Sequence, residues 1–307
     1  MQIGFVGLGK IGSGMVPKLL KDRFEVHVWN RSRASSEELK LKVKSEKLKV
    51  CESLKQLVQG LDKPRIIWIM VTHTAVDEVL TEIRKYVEKD DIIIDGGNSN
   101  YRDTERRYEK FEKIGVRYLG IGTSGGILAS KNGYPFMVGG SKSAYEHIIP
   151  VLDSLSKPNG GHEYFGQGGA GHFIKMVHNG IEYGLMQSLS EGFEVLEKSD
   201  YKFDLPKIAG IFQKGTIVSG FLLDRMRDAL DRGDYQSLIG EIDASGEGDW
   251  TVKTAEEEGV MVENIQQALN FRKRSKTDEK IRNSTTAKLV SALRREFGGH
   301  EVKKEKV

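Results

Sequence analysis

A short apolar run followed at once by a glycine-rich turn constrains the fold of this chain more than any other feature. Residues Gln2–Val6 read as a buried strand, and the apolar spacing after the turn predicts a helix. The turn between them has the spacing G-x-G-x-x-G, in which the first glycine permits a tight turn, the second admits a pyrophosphate and the third lets helix and strand pack closely. The helix N-terminus adds N–H donors for phosphate. We predict a dinucleotide site formed by Gly7, Leu8, Gly9, Lys10, Ile11 and Gly12.

The end of the second predicted strand, Phe24–Trp29, bears on which dinucleotide binds. An NAD site usually carries Asp or Glu here to hold the ribose 2′-hydroxyl. This chain instead has Asn30, Arg31 and Ser32, followed by Arg33. A guanidinium and a hydroxyl suit a 2′-phosphate. We therefore expect NADP in preference to NAD; the alternative is that both arginines are ordinary surface charges.

Strand and helix patterns alternate over the first half of the chain. This alternation predicts an α/β domain of the Rossmann type, with a mostly parallel, doubly wound sheet. Ligands of such sheets bind beyond the carboxyl ends of the strands, where this chain has glycine pairs and polar side chains. Further strands are predicted at Arg65–Val71, Asp91–Asp95, Arg117–Ile121 and Pro135–Val138, and the strand-end candidates are Val71 and Asn98 for the cofactor and Asn98, Ser124, Gly125 and Gly126 for a substrate.

The segment Ser156–Gly171 contains six glycines and a proline, and we predict that it joins two domains. Residues 1–165 would form the dinucleotide-binding domain and residues 166–307 an all-α domain. The stretch Asp243–Thr251 is too glycine-rich for a helix and is expected to be a loop near the site. The all-α domain is predicted to begin with a long helix at Gly169–Leu196. Its further helices are predicted at Leu205–Phe212, Thr216–Ala229, Thr251–Gly259, Met261–Arg274 and Asp278–Phe297.

The stretch Gly169–Leu196 reads as one long helix that carries chemistry as well as packing. Five polar residues fall within roughly 140° of arc and therefore share one face. They mix types that act as base, acid and hydrogen-bond donor, whereas a solvated stripe is usually rich in Lys, Glu and Gln. Apolar residues beside them, including Ile181 and Leu185, are expected to bury that half of the helix. The five are Lys175, His178, Asn179, Glu182 and Tyr183.

Composition bounds the remaining possibilities. The 307 residues are 38% hydrophobic, carry a net charge of +3 and include a single cysteine, Cys51. The charge is spread along the chain, so no nucleic-acid-binding stripe is expected, and one cysteine cannot form a disulfide framework. No apolar run approaches the length of a membrane span, and no histidine has a partner acid at metal-ligand spacing. We expect a cytoplasmic protein with no metal.

Several of these motifs together resemble the 6-phosphogluconate dehydrogenase family, within the β-hydroxyacid dehydrogenase superfamily. The resemblance covers nearly the whole chain, and the common form of that family is longer, with a duplicated helical domain. This chain is similar to the short form. The matching runs are GLGKIGSGM, DIIIDGGNSNYRDTERR, GTSGG, GAGHFIKMVHNGIEYG, GDWT and FGGH.

The resemblance implies oxidation at C3 of 6-phosphogluconate, loss of C1 as CO2 and protonation at the carbon that becomes C1 of the product. Lys175 matches the family's base, and its pKa should be lowered by burial and nearby positive charge so that the neutral amine is available. Glu182 matches the acid that protonates the enediol. The family needs no metal because the protonated lysine polarises the ketone.

Binding roles carry over on the same basis. The sugar-acid carboxylate and hydroxyls are assigned to Asn98, Ser124, Gly125, Gly126, His178 and Asn179, and the phosphate to Tyr183 and Arg272. Arg294 and His300 match a pair that reaches the site of a neighbouring subunit, which implies a homodimer or homotetramer. One departure is that Ser245 stands where the longer form has a phosphate-binding lysine, with two acids, Glu247 and Asp249, close by.

Two alternatives stay open at this stage. One is a β-hydroxyacid dehydrogenase of the 3-hydroxyisobutyrate type, which resembles this chain in the glycine turn and in the Lys–Asn spacing but lacks the Glu182–Tyr183 pair. The other is a catalytically silent NADP-binding sensor, which has no need of Lys175 and Glu182 on one helix face.

Overall fold

A computed structural model describes residues 1–244 and 246–304. The chain divides into two compact units, Met1–Lys175 and Met176–Val307. A single long helix, α8 (Ala170–Lys198), begins in the first unit and continues into the second. The boundary between the units therefore falls inside this helix, whereas the glycine content of the sequence pointed to residues 165 and 166.

The first unit alternates strands and helices, as the sequence predicts. Its strands are β1 (Gln2–Val6), β2 (Glu25–Trp29), β3 (Leu48–Val50), β4 (Ile66–Ile69), β5 (Ile92–Asp95), β6 (Arg117–Thr123), β7 (Pro135–Gly140) and β8 (Gly161–Gly166). Its helices before α8 are α1 (Gly12–Lys21), α2 (Arg33–Val43), α3 (Leu54–Gln59), α4 (Val76–Ile83), α5 (Tyr101–Glu112), α6 (Ala129–Asn132) and α7 (Lys142–Ser156).

The eight strands form one sheet in the order β3-β2-β1-β4-β5-β6-β7-β8. All neighbouring pairs are parallel except β6 and β7, so the predicted mostly parallel, doubly wound sheet is confirmed. The strand order reverses direction between β1 and β4. A crevice outside the carboxyl ends of these two strands is the place where such sheets bind a dinucleotide.

Alternate residues of the central strands face opposite sides of the sheet and bury two separate apolar clusters. Phe5 and Trp68 pack with residues of α1 and α7 on one side. Val6 and Ile67 pack with residues of α3, α4 and α5 on the other side. The central strands are buried on both faces, which explains why they read as continuous apolar runs rather than as alternating patterns.

Two strands were not predicted. β3 has only three residues, too few for a periodic signal, and it is held at the sheet edge by parallel pairing with β2. β8 lies inside the glycine-rich segment Ser156–Gly171, so that segment is part of the sheet as well as a connection. Its residues alternate between exposed and half-buried, and it pairs in parallel with β7. An edge strand needs few apolar residues, because it packs against little else.

The second unit is helical, which confirms the predicted class. In the described part of this unit, residues 176–244 and 246–304, the only β-structure is an isolated bridge between Leu238 and Lys304. A core of aromatic and aliphatic side chains joins α8 to α9, α10, α12 and α14. The helices that follow α8 are α9 (Leu205–Phe212), α10 (Phe221–Arg232), α11 (Glu247–Glu257), α12 (Glu263–Ser275), α13 (Glu279–Arg282) and α14 (Thr285–Gly298).

Two helix predictions and one loop prediction need correction. The helix expected from Thr216 begins at Phe221, after Gly220. The last predicted helix, Asp278–Phe297, is two helices in the structure. Ser284 caps the second of them by accepting a hydrogen bond from the Ala287 N–H. The stretch Asp243–Thr251 is only partly a loop: α11 begins at Glu247, preceded by Gly246 with φ 104°. The acids in its first turn favour this start, because they interact with the positive end of the helix dipole.

Candidate active site

The glycine-rich turn has the geometry that a dinucleotide requires. Gly7 has φ 99°, and a Cβ there would lie 2.3 Å from the Met70 carbonyl oxygen and 3.0 Å from Val71. A Cβ on Gly12 would lie 2.3 Å from the Gly7 oxygen, so helix and strand approach too closely for a side chain. At Gly9 a Cβ would meet no described atom within 4 Å, which leaves the backbone open to a ligand. The residues present therefore fit a pyrophosphate at this turn.

The polar residues that follow β2 differ in their contacts. Asn30 accepts a hydrogen bond from the Leu8 N–H at 2.9 Å and donates one to the Ser32 oxygen at 2.9 Å, so it holds the turn in place. Arg33 pairs with Glu37 and Glu52. Arg31 is exposed, and no carboxylate of the described residues pairs with it. Of the two arginines, Arg31 is the one without a carboxylate partner among the described residues.

The loop after β5 is built around a buried carboxylate. Asp95 accepts hydrogen bonds from the Gly97 N–H at 3.2 Å and from the Ser99 hydroxyl at 2.7 Å. Arg107 donates to the same carboxylate at 3.2 Å. These contacts fix the backbone on both sides of Asn98, whose side chain is exposed. Asp95 is therefore structural, and the loop presents Asn98 at the carboxyl edge of the sheet.

The structure brings Lys175 to the predicted loop after β6. Its Nζ donates a hydrogen bond to the Ser124 hydroxyl at 3.2 Å, and the residue is only 8% exposed. Close packing makes this possible, because a Cβ on Gly122 would lie 2.4 Å from the Cβ of Lys175. After Ser124 the chain turns through Gly125 (φ 90°) and Gly126 (φ 57°), which leaves backbone N–H groups at the edge of the loop.

His172 is a buried link that sequence reasoning missed. Its Nε2 lies 3.0 Å from the Gly97 carbonyl oxygen and its Nδ1 lies 2.7 Å from the Thr104 hydroxyl. A carbonyl only accepts, so in the neutral ring Nε2 carries the hydrogen. Burial lowers the pKa of His172, which favours this neutral form. One turn before Lys175, it ties the helix to the Asn98 loop; its position in the run GAGHFIK was the only signal available.

In the second unit, α8 presents a polar group with its own hydrogen bonds. His178 Nδ1 lies 3.0 Å from Asn179 Oδ1 and 3.9 Å from Glu182 Oε2. Asn179 Nδ2 donates to Glu247 Oε1 at 3.1 Å. The expected burial of the apolar neighbours is wrong for Ile181 and Leu185, both of which are exposed. They lie on a side of the helix that the rest of the described unit does not cover.

A pair of buried arginines flanks the end of this polar face. Arg272 is 2% exposed and its guanidinium carbon lies 3.4 Å from the ring centroid of Tyr183. Burial lowers the pKa of Arg272 to about 10, and it also lowers the pKa of Arg294, which is 8% exposed. Neither guanidinium has a salt bridge to a carboxylate anywhere in residues 1–244 and 246–304. Buried cations without a paired anion are costly, and they mark a site for an anionic ligand.

Arg294 interacts electrostatically with Tyr183 of its own chain. Burial raises the pKa of Tyr183, and Arg272 and Arg294 both oppose that rise. α14 reaches this position because Leu289 and Leu293 pack in the same core as Tyr183. His300 follows the end of α14, with its ring 6.4 Å from that of Phe297 in an edge-on arrangement. Ser245 lies outside the described residues.

The two acids beside Ser245 have different surroundings. Asp249 is partly exposed and pairs with Lys273 at 2.6 Å, whereas Glu247 is buried. Arg274, two residues after Arg272, is exposed and pairs with Asp278. In the part of the chain that the structure covers, no group of three or more His, Cys, Asp or Glu side chains is placed to hold a metal ion. No helix there has both the length and the apolar character of a membrane span.

Comparisons with known proteins agree with this geometry. Residues 2–169 match the family model of the NAD-binding domain of 6-phosphogluconate dehydrogenase, and residues 171–306 match that of its C-terminal domain. A Bacillus subtilis protein with a provisional 6-phosphogluconate dehydrogenase name is 38% identical over 306 residues, covering 99% of this chain and 100% of its own. An NAD+-dependent, decarboxylating 6-phosphogluconate dehydrogenase of Haloferax volcanii is 34% identical, covering 98% of both chains.

A solved structure of Plasmodium falciparum 6-phosphogluconate dehydrogenase, described with NADP+ and with 6-phosphogluconate, superposes with a TM-score of 0.82 at 32% identity. The match covers 90% of this chain and 62% of the Plasmodium chain. The present chain thus spans under two thirds of that longer form but the full length of the short relatives. Both family models and these identities lead to one conclusion: the chain belongs to the 6-phosphogluconate dehydrogenase family of NAD(P)-binding oxidoreductases.

Proposed function

We propose that the protein oxidises and decarboxylates 6-phosphogluconate to ribulose 5-phosphate and CO2 with reduction of NADP. The observation that carries this proposal is the pair Arg272 and Arg294, buried beside Tyr183 without a paired carboxylate among the described residues. A phosphate monoester brings up to two negative charges and several acceptor oxygens, which would offset the cost of burying both guanidiniums. A hydroxyacid without a phosphate gives these arginines no such partner.

The first chemical step needs a base at the C3 hydroxyl. We propose that Lys175, as the neutral amine, takes the hydroxyl proton while hydride leaves C3. The bound nicotinamide supplies the hydride acceptor. Ser124, in hydrogen-bond contact with Lys175 Nζ, would hold the amine in place and share the substrate oxygen. The side chains of Asn98, His178 and Asn179, with the turn at Gly125 and Gly126, are proposed to bind the carboxylate and the other hydroxyls.

The second step breaks the C1–C2 bond of the 3-keto acid. The ammonium form of Lys175 would donate a hydrogen bond to the ketone oxygen, which stabilises the negative charge that develops there as CO2 leaves. The resulting enediol then needs a proton at the former C2, which becomes C1 of ribulose 5-phosphate, and we propose that Glu182 provides it. Glu182 lies on the same helix as Lys175, two turns further along.

The phosphate assignment is tested by comparing 6-phosphogluconate with D-gluconate, both followed at 340 nm with NADP. The two substrates share every reacting atom and differ only in the phosphate. We expect kcat/KM to be at least 100-fold higher for 6-phosphogluconate, since two charge-assisted contacts are each worth about 1.5–3 kcal/mol. Equal values for the two substrates, or oxidation of 3-hydroxyisobutyrate alone, would assign the protein to a non-phosphorylated hydroxyacid.

NADP specificity rests on Arg31, and its replacement by alanine is expected to raise the KM for NADP roughly 10- to 100-fold by loss of a charge-assisted contact to the 2′-phosphate. The KM for NAD should change less than threefold, because NAD has no phosphate at that position. Initial rates with each cofactor at saturating 6-phosphogluconate give both values. Arg33→Ala is the matched control, since Arg33 is paired with Glu37 and Glu52. A parallel rise for both cofactors in Arg31→Ala would refute the specificity role.

Replacing Glu182 with glutamine is expected to lower steady-state turnover about 10²-fold or more, because general acid catalysis is lost at C1 of the product. Oxidation itself should persist. A single-turnover experiment in rapid mixing would therefore show NADPH formation at near wild-type rate, followed by slow release of ribulose 5-phosphate. If the hydride-transfer rate fell as far as turnover, Glu182 would be acting before the enediol stage.

We further propose a homodimer or homotetramer, in which Arg294 and His300 reach the active site of a neighbouring subunit, as the resemblance implies. It is supported by exposed apolar side chains of the second unit, among them Ile181, Leu185, Ile217, Val218 and Phe221. Sedimentation velocity at micromolar concentration should show a species of at least twice the 34.4 kDa chain mass. A monomer at that concentration would contradict the proposal.

A further inference from the structure

Glu247 is a buried acid that the proposed reaction does not use. It is the first residue of α11 and is 2% exposed, whereas Asp249 in the same turn reaches solvent and pairs with Lys273. An acid at a helix N-terminus stabilises the helix dipole from a solvent-exposed position as well as from a buried one. Burial of Glu247 therefore needs a reason beyond the start of the helix.

The two carboxylate oxygens of Glu247 differ in their contacts. Oε1 accepts a hydrogen bond from Asn179 Nδ2 at 3.1 Å. Oε2 is buried and has no hydrogen-bond partner among the described residues. Glu247 also acts electrostatically on Arg272 and Arg294, whose positive charges oppose the cost of burying it. A buried carboxylate with one unpaired oxygen opposes folding. We therefore expect Glu247 to serve function through its contact with Asn179.

An ionised carboxylate only accepts hydrogen bonds, so it determines which end of the Asn179 amide faces it. The NH2 group faces Glu247, and Oδ1 therefore faces His178 Nδ1 at 3.0 Å. An amide oxygen also only accepts, so Nδ1 of His178 must carry a hydrogen. In the neutral ring, Nε2 then presents a lone pair. Glu247 thus sets the orientation of the amide. The amide oxygen at 3.0 Å then favours the hydrogen on Nδ1, in the same sense as Glu182 Oε2 at 3.9 Å.

We propose that Glu247 is a positioning residue that orients the Asn179 amide and holds His178 in the Nδ1–H tautomer. The proposal rests on the proposed function in one respect, namely that His178 and Asn179 bind the sugar acid. A hydroxyl of the substrate can donate to the lone pair on Nε2 only in this tautomer. With glutamine at 247, either end of the new amide can face Asn179, so the constraint on both residues is lost.

The full-length protein labelled with 15N-histidine tests the proposal by long-range 1H–15N NMR at pH 8. The His178 signals are identified by their loss in His178→Gln. The wild type should show the chemical shifts of an Nδ1–H ring, and Glu247→Gln should shift them towards a mixture of tautomers. The same substitution should raise the KM for 6-phosphogluconate roughly tenfold or more, the effect of losing ordered hydrogen-bond partners, with a smaller change in kcat.

Asp249→Asn is the matched control, because it removes the same charge from the same helical turn at a solvent-exposed position. It should leave the His178 shifts and the KM unchanged. An Nε2–H ring for His178 in the wild type would overturn the proposal, as would Glu247→Gln with wild-type shifts and KM. If the wild type does not oxidise 6-phosphogluconate, the proposed function fails, whereas the tautomer of His178 still decides whether Glu247 orders this pair.

Discussion

Replacing Lys175 with methionine is expected to lower kcat for 6-phosphogluconate by about 10²–10⁴-fold, the usual contribution of a general acid–base group. The proposed mechanism uses this side chain twice, first as the base at C3 and then as the donor to the ketone oxygen. Methionine fills a similar volume without a titratable group, so the close packing against Gly122 should survive. Initial rates at 340 nm give kcat, and rapid mixing separates hydride transfer from later steps.

Binding and folding should be spared in this variant. The Kd for NADP, measured by calorimetry, is expected to stay within about threefold of wild type, because Lys175 lies on α8 and the cofactor contacts are predicted at the glycine turn and after β2. Lys198→Met, at the exposed end of the same helix, is the matched control and should keep full activity. Near wild-type rates in Lys175→Met would show that another group is the base.

Replacing Arg272 with methionine is expected to raise the KM for 6-phosphogluconate roughly 10- to 100-fold, the effect of losing a charge-assisted hydrogen bond to phosphate worth about 1.5–3 kcal/mol. The thermal midpoint should hold or increase, because a buried guanidinium without a paired carboxylate opposes folding and a well-packed apolar side chain does not. These opposite effects on binding and stability are what separate a ligand-binding arginine from a structural one.

The control for this prediction is Arg274→Met. Arg274 lies on the same helix, is exposed and pairs with Asp278, so its loss should change neither the KM nor the thermal midpoint appreciably. If Arg272→Met instead lowered the thermal midpoint and left the KM unchanged, the contact between Arg272 and the Tyr183 ring would be structural. The anion site would then have to be sought elsewhere.

Much of the first unit could be predicted because its signals are local. A strand of four or five apolar residues, a glycine turn and an amphipathic helix each carry their pattern within about ten residues. β3 and β8 were not predicted because edge strands are stabilised by pairing with one neighbouring strand, not by their own composition. The start of α11 was not predicted because the glycine content of this segment is unfavourable for a helix. In the structure the acids Glu247 and Asp249 stabilise its first turn.

The same distinction between local signals and tertiary packing applies to the candidate site. The polar face of α8 follows from helical periodicity alone, whereas the contact of Lys175 with Ser124 is visible only in the structure. Arg294 beside Tyr183 depends on how α14 packs in the second unit, which no local pattern encodes. The inward orientation of Glu247 is likewise a tertiary feature, since nothing in the run Gly246–Asp249 distinguishes the buried acid from the exposed one.

The most direct test of the proposed reaction is the ratio of CO2 to NADPH. Purified protein is incubated with NADP and 6-phosphogluconate labelled with 14C at C1, and absorbance at 340 nm and trapped 14CO2 are followed together. The mechanism with Lys175 and Glu182 predicts one CO2 for each NADPH throughout the reaction. NADPH without CO2 would indicate a simple β-hydroxyacid dehydrogenase, and neither product, with NADP still bound, would indicate a silent binding protein; either result would contradict the proposed function.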